Sequence, residues 1–287
     1  MRKYSVCLFL FIIIAMLGGC RNEEDTQILA TTKPIYQFAS ILCEETPLQV
    51  DLLISENVSC LHDYTLQVSQ MRKLESAEVI IINGAGFEDF LTDALPKNGK
   101  LIDCSENIVL HCSDHNHHDD HSHAEDPHIW LSIHNARTMV NTIYATLCDM
   151  YPQHRAAFEK NFRTINAKFE LLESHSLALH DLQCRELITF HDGFAYLAES
   201  FDLHILRAIE EESGSEASAK ELIEIVNVIN RHNVPAIFTE VNSATSASNI
   251  IQAETGVNIF ELDMALSGRD YFEAMEHNIK TLKEALE

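Results

Sequence analysis

The sequence predicts an α/β protein of two lobes, each with a four-stranded parallel sheet flanked by helices, joined by one long rigid helix. Three observations carry this. Short apolar, β-branched runs alternate with longer amphipathic stretches, the pattern of parallel strands with helical crossovers. The runs come in two batches of four. Between the batches lies a long segment with a helical period and no strand signal.

Residues 1–19 read as an address and not as part of the fold. Arg2 and Lys3 give a positive start, and the apolar run over 6–17 is too short to span a bilayer as an ordinary helix. Leu17-Gly18-Gly19-Cys20 fits a bacterial lipoprotein cleavage site. Cys20 is then the lipid anchor and 20–27 a lipidated tether, which places the protein outside the cytoplasm on a bacterial membrane, in a periplasm or at the cell surface. More than one acyl chain makes such anchoring stable.

The N-terminal lobe is expected over 28–150, with strands at 28–32, 49–54, 79–82 and 100–103. A linking helix is expected within 151–180. There Phe158, Phe162, Ile165, Phe169 and Leu172 recur every three or four residues, and Pro152 sits near the start, where proline is tolerated. The C-terminal lobe is expected over 181–287, with strands at 186–190, 203–207, 236–239 and 257–261 and a helical pattern over 222–229.

The 287 residues carry 44 acidic and 20 basic side chains, a net charge of −24. Loss of Arg2 and Lys3 with the leader takes −24 to −26. Such a surface repels nucleic acid and anionic lipid and attracts cations, which counts against nucleic-acid functions; no nucleic-acid partner is expected. Of eight cysteines, Cys7 leaves with the leader and Cys20 carries lipid. Cys43, Cys60, Cys104, Cys112, Cys148 and Cys184 remain; an exported protein can pair them in fifteen ways. No CxxC occurs, which removes a zinc ribbon and a thioredoxin-type motif.

The chemistry is carried by histidines. His62, His128 and His191 each follow a predicted strand, roughly 65 residues apart, and Asp263 follows a fourth. In an open α/β sheet, ligands bind beyond the carboxyl ends of the strands, so these four side chains can converge between the lobes. Three imidazoles and one carboxylate suit a first-row divalent ion, zinc above all. A second signal is the tract from His111 to His123, with His111, His115, His117, His118, His121 and His123 and three aspartates. It is expected to form a loop that captures zinc weakly. Only neutral imidazole binds metal, so its occupancy falls below about pH 6.5.

Several motifs then resemble one family. Thr31-Thr32-Lys33-Pro34-Ile35-Tyr36, Asp126-Pro127-His128-Ile129-Trp130-Leu131-Ser132, His191-Asp192-Gly193-Phe194-Ala195-Tyr196-Leu197, Ile237-Phe238-Thr239-Glu240 and Leu262-Asp263 occur in that order. They are similar to landmarks of the cluster A-I solute-binding lipoproteins of zinc and manganese ABC importers, zinc-type. The resemblance implies one ligand nitrogen each from His62, His128 and His191, and Asp263 as the fourth ligand or beside a water. Glu240 is implied as support for a ligand imidazole. Two departures stand out: no proline flanks His62, and Met264 follows Asp263 where proline is common. The implied protein is a monomeric receptor, not an enzyme, that delivers zinc, alternatively manganese, to a permease and its ATPase. A zinc hydrolase is the competing class, though no HExxH is present. An adhesin is a third, for which no residue speaks.

Overall fold

The computed structural model describes residues 27–55, 64–95, 100–111, 125–210, 218–241, 246–266 and 268–287. The leader, Cys20, His62, His115, His117, His118, His121 and His123 lie outside the described residues.

The N-terminal sheet contains β1 (Ile28–Ala30), β2 (Val50–Leu52), β3 (Val79–Ile82) and β4 (Lys100–Asp103), in the order β2-β1-β3-β4. The C-terminal sheet contains β5 (Glu186–His191), β6 (His204–Glu210), β7 (Ala236–Glu240) and β8 (Asn258–Leu262), in the order β6-β5-β7-β8. Every neighbouring pair is parallel. Burial follows strand position. Central β1 and β3 are unbroken apolar runs buried throughout, as strands covered on both faces must be. Edge strand β4 leaves Lys100 and Leu101 exposed.

Most boundaries match the sequence pattern within a few residues. The first strand is shorter than expected, because the chain turns at Thr31 and Thr32 into α1 (Lys33–Cys43), with Pro34 in the first turn. The remaining described helices are α2 (Val68–Ser76), α3 (Ile133–Met150), α4 (Arg155–Ser176), α5 (Ala195–Ser200), α6 (Ala219–His232), α7 (Ser246–Thr255) and α8 (Tyr271–Leu286).

The linking helix is α4. Its 22 residues give about 33 Å of rod, bracketed by single 3-10 turns at Pro152–His154 and Leu177–Leu179. Its apolar stripe buries Phe158, Ile165, Phe169 and Leu172. Asn161, also on that face, donates to the carbonyls of Leu42 and Glu44 at 3.0 and 2.7 Å, satisfying acceptors left open at the end of α1. The C-terminal helix α8 packs back along α4. Phe38 of α1, Phe169 of α4 and Tyr271 and Phe272 of α8 form one aromatic cluster, with ring centroids 4.8 to 6.1 Å apart.

The main core therefore runs through both lobes. It joins Ile28, Ile80, Trp130, Ile143, Leu187, Phe238, Leu262 and Met275. A smaller core, with Ile188, Phe190, Ile225, Ile237 and Ile251, fills the outer side of the second sheet. Strand alternation divides the two: Leu187 faces the shared core, and its neighbour Ile188 the outer one.

Trp130 fastens the lobes at the cleft. It is fully buried, donates its indole N–H to the Met264 carbonyl at 2.7 Å, and accepts from the Tyr271 hydroxyl on its own carbonyl at 3.0 Å. The motif around His128 is thereby tied to the loop that carries Asp263.

Candidate metal centre

His128 lies between β4 and α3, directly before a 3-10 turn over Ile129–Leu131. It is 4% exposed. One oxygen of Asp126 accepts from both the backbone N–H of His128, at 2.9 Å, and its ring Nδ1, at 2.8 Å. A proton on Nδ1 satisfies that carboxylate and leaves Nε2 with its lone pair toward the cleft. Phe87 and Trp130 pack against the ring, with centroids 6.0 and 5.5 Å away.

His191 is the last residue of β5, also 4% exposed. Strand alternation puts it on the same face as Leu187 and Thr189, toward the shared core. Its Nε2 stands 3.4 Å from Nε2 of His128, with the rings nearly perpendicular at 85°. Two nitrogens bound to one tetrahedral zinc, each 2.0–2.1 Å from it, lie about 3.3 Å apart. The pair thus has the separation of two ligands on one ion. Gly193 keeps this approach open: a β-carbon there would lie 2.7 Å from His191 Nε2 and 2.9 Å from the Met264 methyl.

The other expected donors are placed less directly. Asp263 follows β8 and is 4% exposed. Its Oδ1 accepts from the Ala265 N–H at 2.8 Å and its Oδ2 from Arg269 at 3.0 Å. Glu240 ends β7, with Oε1 3.8 Å from His191 Nδ1, an ion-pair distance longer than a hydrogen bond. Among the described residues no three His, Cys, Asp or Glu side chains come together closely enough to hold an ion. The structure brings His128 and His191 together, leaves Asp263 in the grip of Arg269, and does not describe His62.

His111 anchors the start of the histidine tract. Its ring stacks on Tyr196, with centroids 4.4 Å apart, and its Nε2 is 2.9 Å from Glu199. Its carbonyl accepts from the Asp126 N–H at 2.9 Å, so the described residues on either side of the tract meet beside His128. The described cysteines Cys43, Cys104, Cys148 and Cys184 are free thiols.

Sequence reasoning quoted Asp126, Trp130 and Gly193 inside motifs and gave them no role. A carboxylate two residues before a histidine, with proline between, was the available signal for Asp126. Arg269 offered none, because its partner is fixed only by the turn after β8.

Two imidazoles at ligand separation, set between parallel-sheet lobes beyond their strand ends, define a metal-binding solute-binding protein. The family model for the periplasmic component A of a zinc-uptake complex, ZnuA, matches residues 28–285, and the chain belongs to that family. A protein of Treponema pallidum (strain Nichols) named for metal binding is 28% identical over 308 residues, covering 99% of this chain and 97% of its own length. The zinc-binding lipoprotein AdcA of Streptococcus pneumoniae (TIGR4) is 27% identical, covering 99% of this chain; the chain spans only 61% of AdcA's length. A crystal structure of ZnuA superposes with a TM-score of 0.79 at 27% identity, covering 92% of this chain and 100% of the other.

Proposed function

We propose that this protein is an extracytoplasmic zinc receptor that hands its ion to an ABC-type importer. The observation that carries the reading is the 3.4 Å between Nε2 of His128 and Nε2 of His191, which matches two ligands on one tetrahedral zinc. His62, His128, His191 and Asp263 are the proposed ligands, with zinc as cargo. Asp263 would give up Arg269 or share an oxygen between Arg269 and the ion. Asp126 fixes the tautomer of His128, and Glu240 lies on the Nδ1 side of His191 to do the same. Cys20 is the proposed lipid anchor, and a permease with its ATPase the proposed partners. The histidines from His111 to His123 are proposed as the capture loop. Residues 28–150, 151–180 and 181–287 are the proposed N-terminal lobe, linking helix and C-terminal lobe.

Membership of the zinc-uptake family supports this reading. Among the described residues no helix is long and apolar enough to cross a membrane. Two surface hollows, of about 350 and 380 Å³, lie near α5 and the end of α4, and neither is lined by His128 or His191.

The test is metal content of the purified protein and competition between zinc and manganese, with His191→Ala as control. One tightly held zinc per chain that excess manganese does not displace, lost in the variant, is the expected result. Retention of manganese in preference would overturn the choice of ion. Binding that survives His191→Ala would overturn the ligand assignment.

A further inference from the structure

We propose that Glu88, a buried carboxylate outside the ligand set, is a positioning residue for His128. The inference rests on the reading that His128 binds the ion. Glu88 is 5% exposed and lies in the loop after β3. Its Oε1 accepts from the backbone N–H of Asn83 at 2.7 Å and lies 2.6 Å from the Thr31 hydroxyl, and its Oε2 accepts from the N–H of Gly84 at 3.0 Å. One side chain thus stitches the end of β1 to the start of the loop after β3.

That loop needs stitching. Gly84, Ala85 and Gly86 all have positive φ, at 81°, 53° and 80°, and only glycine adopts this region without strain. A side chain at Gly84 is also excluded by space, since a β-carbon there would collide with Asp103. A run of three left-handed residues does not hold itself by backbone preference, and the carboxylate supplies the fixed acceptors that define its course.

Two contacts carry the loop's position to the metal centre. The Asn83 amide, whose backbone N–H is on Glu88, donates to the Pro127 carbonyl at 2.9 Å, one peptide before His128. Phe87, the neighbour of Glu88, packs edge-on to both His128 and Trp130, with centroids 6.0 and 5.0 Å away. One contact fixes the backbone of His128 and the other its ring. Asp126 sets which nitrogen is free, and the Glu88 loop sets where that nitrogen points.

The experiment compares Glu88→Ala, Glu88→Gln, Asn83→Ala and the double variant Glu88→Ala/Asn83→Ala in the full chain. Readouts are zinc affinity by chelator competition and the visible spectrum of the cobalt(II) form. Thermal unfolding without metal reports stability, and His128→Ala is a separate arm. Glu88→Ala and Asn83→Ala should each weaken zinc about tenfold, the range for groups that orient a ligand, and alter the cobalt spectrum. Their double should lose less than the product of the two, since both act along one line. Glu88→Gln, which keeps the acceptor for Asn83 and Thr31 but turns an amide N–H2 toward the Gly84 N–H, should recover part of the affinity. Loss of thermal stability with unchanged zinc affinity and cobalt spectrum would reduce Glu88 to a structural role and overturn the inference. Asn83→Ala leaves the carboxylate in place, so it decides the matter if Glu88→Ala does not fold. If His128→Ala binds zinc as the parent does, the underlying reading fails instead.

Discussion

Gly193→Ala is a one-carbon probe of the metal centre. The added methyl lies 2.7 Å from Nε2 and 2.6 Å from Cδ2 of His191, and 2.9 Å from the Met264 methyl. Since carbon contacts settle at about 3.5 Å, the imidazole edge must retreat by roughly 0.7 Å or more. A zinc ligand distance tolerates only about 0.2 Å, so the shift forfeits most of one bond. Met264 blocks the alternative of moving the methyl. Zinc affinity should fall on the order of 100-fold, equivalent to about 2.7 kcal/mol. Competition against a colorimetric chelator measures this directly, and thermal unfolding without metal checks that the fold is intact. Gly193 does not have positive φ, so no backbone penalty confuses the result. A Gly193→Ala protein that folds and competes for zinc like the parent would show that Nε2 of His191 does not face the ion.

Three further outcomes are expected. Asp126→Asn removes the charge that holds Nδ1 of His128, and zinc affinity should drop about 10- to 100-fold with little change in metal-free melting; equal affinity in chelator competition would remove Asp126 from the site. Saturating zinc should raise the melting temperature, by about 4 kcal/mol of stability at 1,000 times Kd, and His191→Ala should abolish the rise in a thermal-shift assay. Burial lifts the Glu88 carboxyl from 4.5 to about 7, against hydrogen bonds from Thr31, Asn83 and Gly84 that pull it down. The folded chain then keeps a proton that the unfolded chain has released. Glu88's contribution is therefore fullest below about pH 4.5 and is lost as pH rises through about 7, a span of about 3 kcal/mol. Glu88→Gln should remove that decline from urea-unfolding curves between about pH 5 and 8, and an unaltered slope would refute the assignment.

The fold was legible because each strand is a short apolar run whose flanks change period. Val79–Ile82 could be bounded to the residue, since a strand buried on both faces has little choice of composition, and Lys100–Asp103 was bounded as well although it is a half-exposed edge strand. The stripe from Phe158 to Leu172 announced α4 in the same way. His191 stood out because it closes a strand, where such sheets present side chains, and His128 because of the motif around it. What could not be read was whatever depends on contact across the chain. Arg269 meets Asp263 through a turn, and Trp130 meets Met264 across 134 residues. Glu88 drew no reading from the sequence, because its burial depends on a left-handed run that only the folded loop displays. Gly193 stood in a motif without a role, whereas its value is empty space beside a ring.

The fastening at Trp130 has a kinetic consequence. To part His128 from His191, the indole must leave the Met264 carbonyl and the Tyr271 hydroxyl must leave the Trp130 carbonyl, both inside the shared core. Each hydrogen bond broken and left unsatisfied costs about 1–3 kcal/mol, so if ion escape requires this opening, the cost would slow it by roughly 30- to 25,000-fold. Residence time, more than encounter rate, would then be written into the molecule, and an ion bound here outlasts many collisions with competing chelators. A carrier built this way would lose little cargo in transit, and its unloading would turn on loosening a single tryptophan.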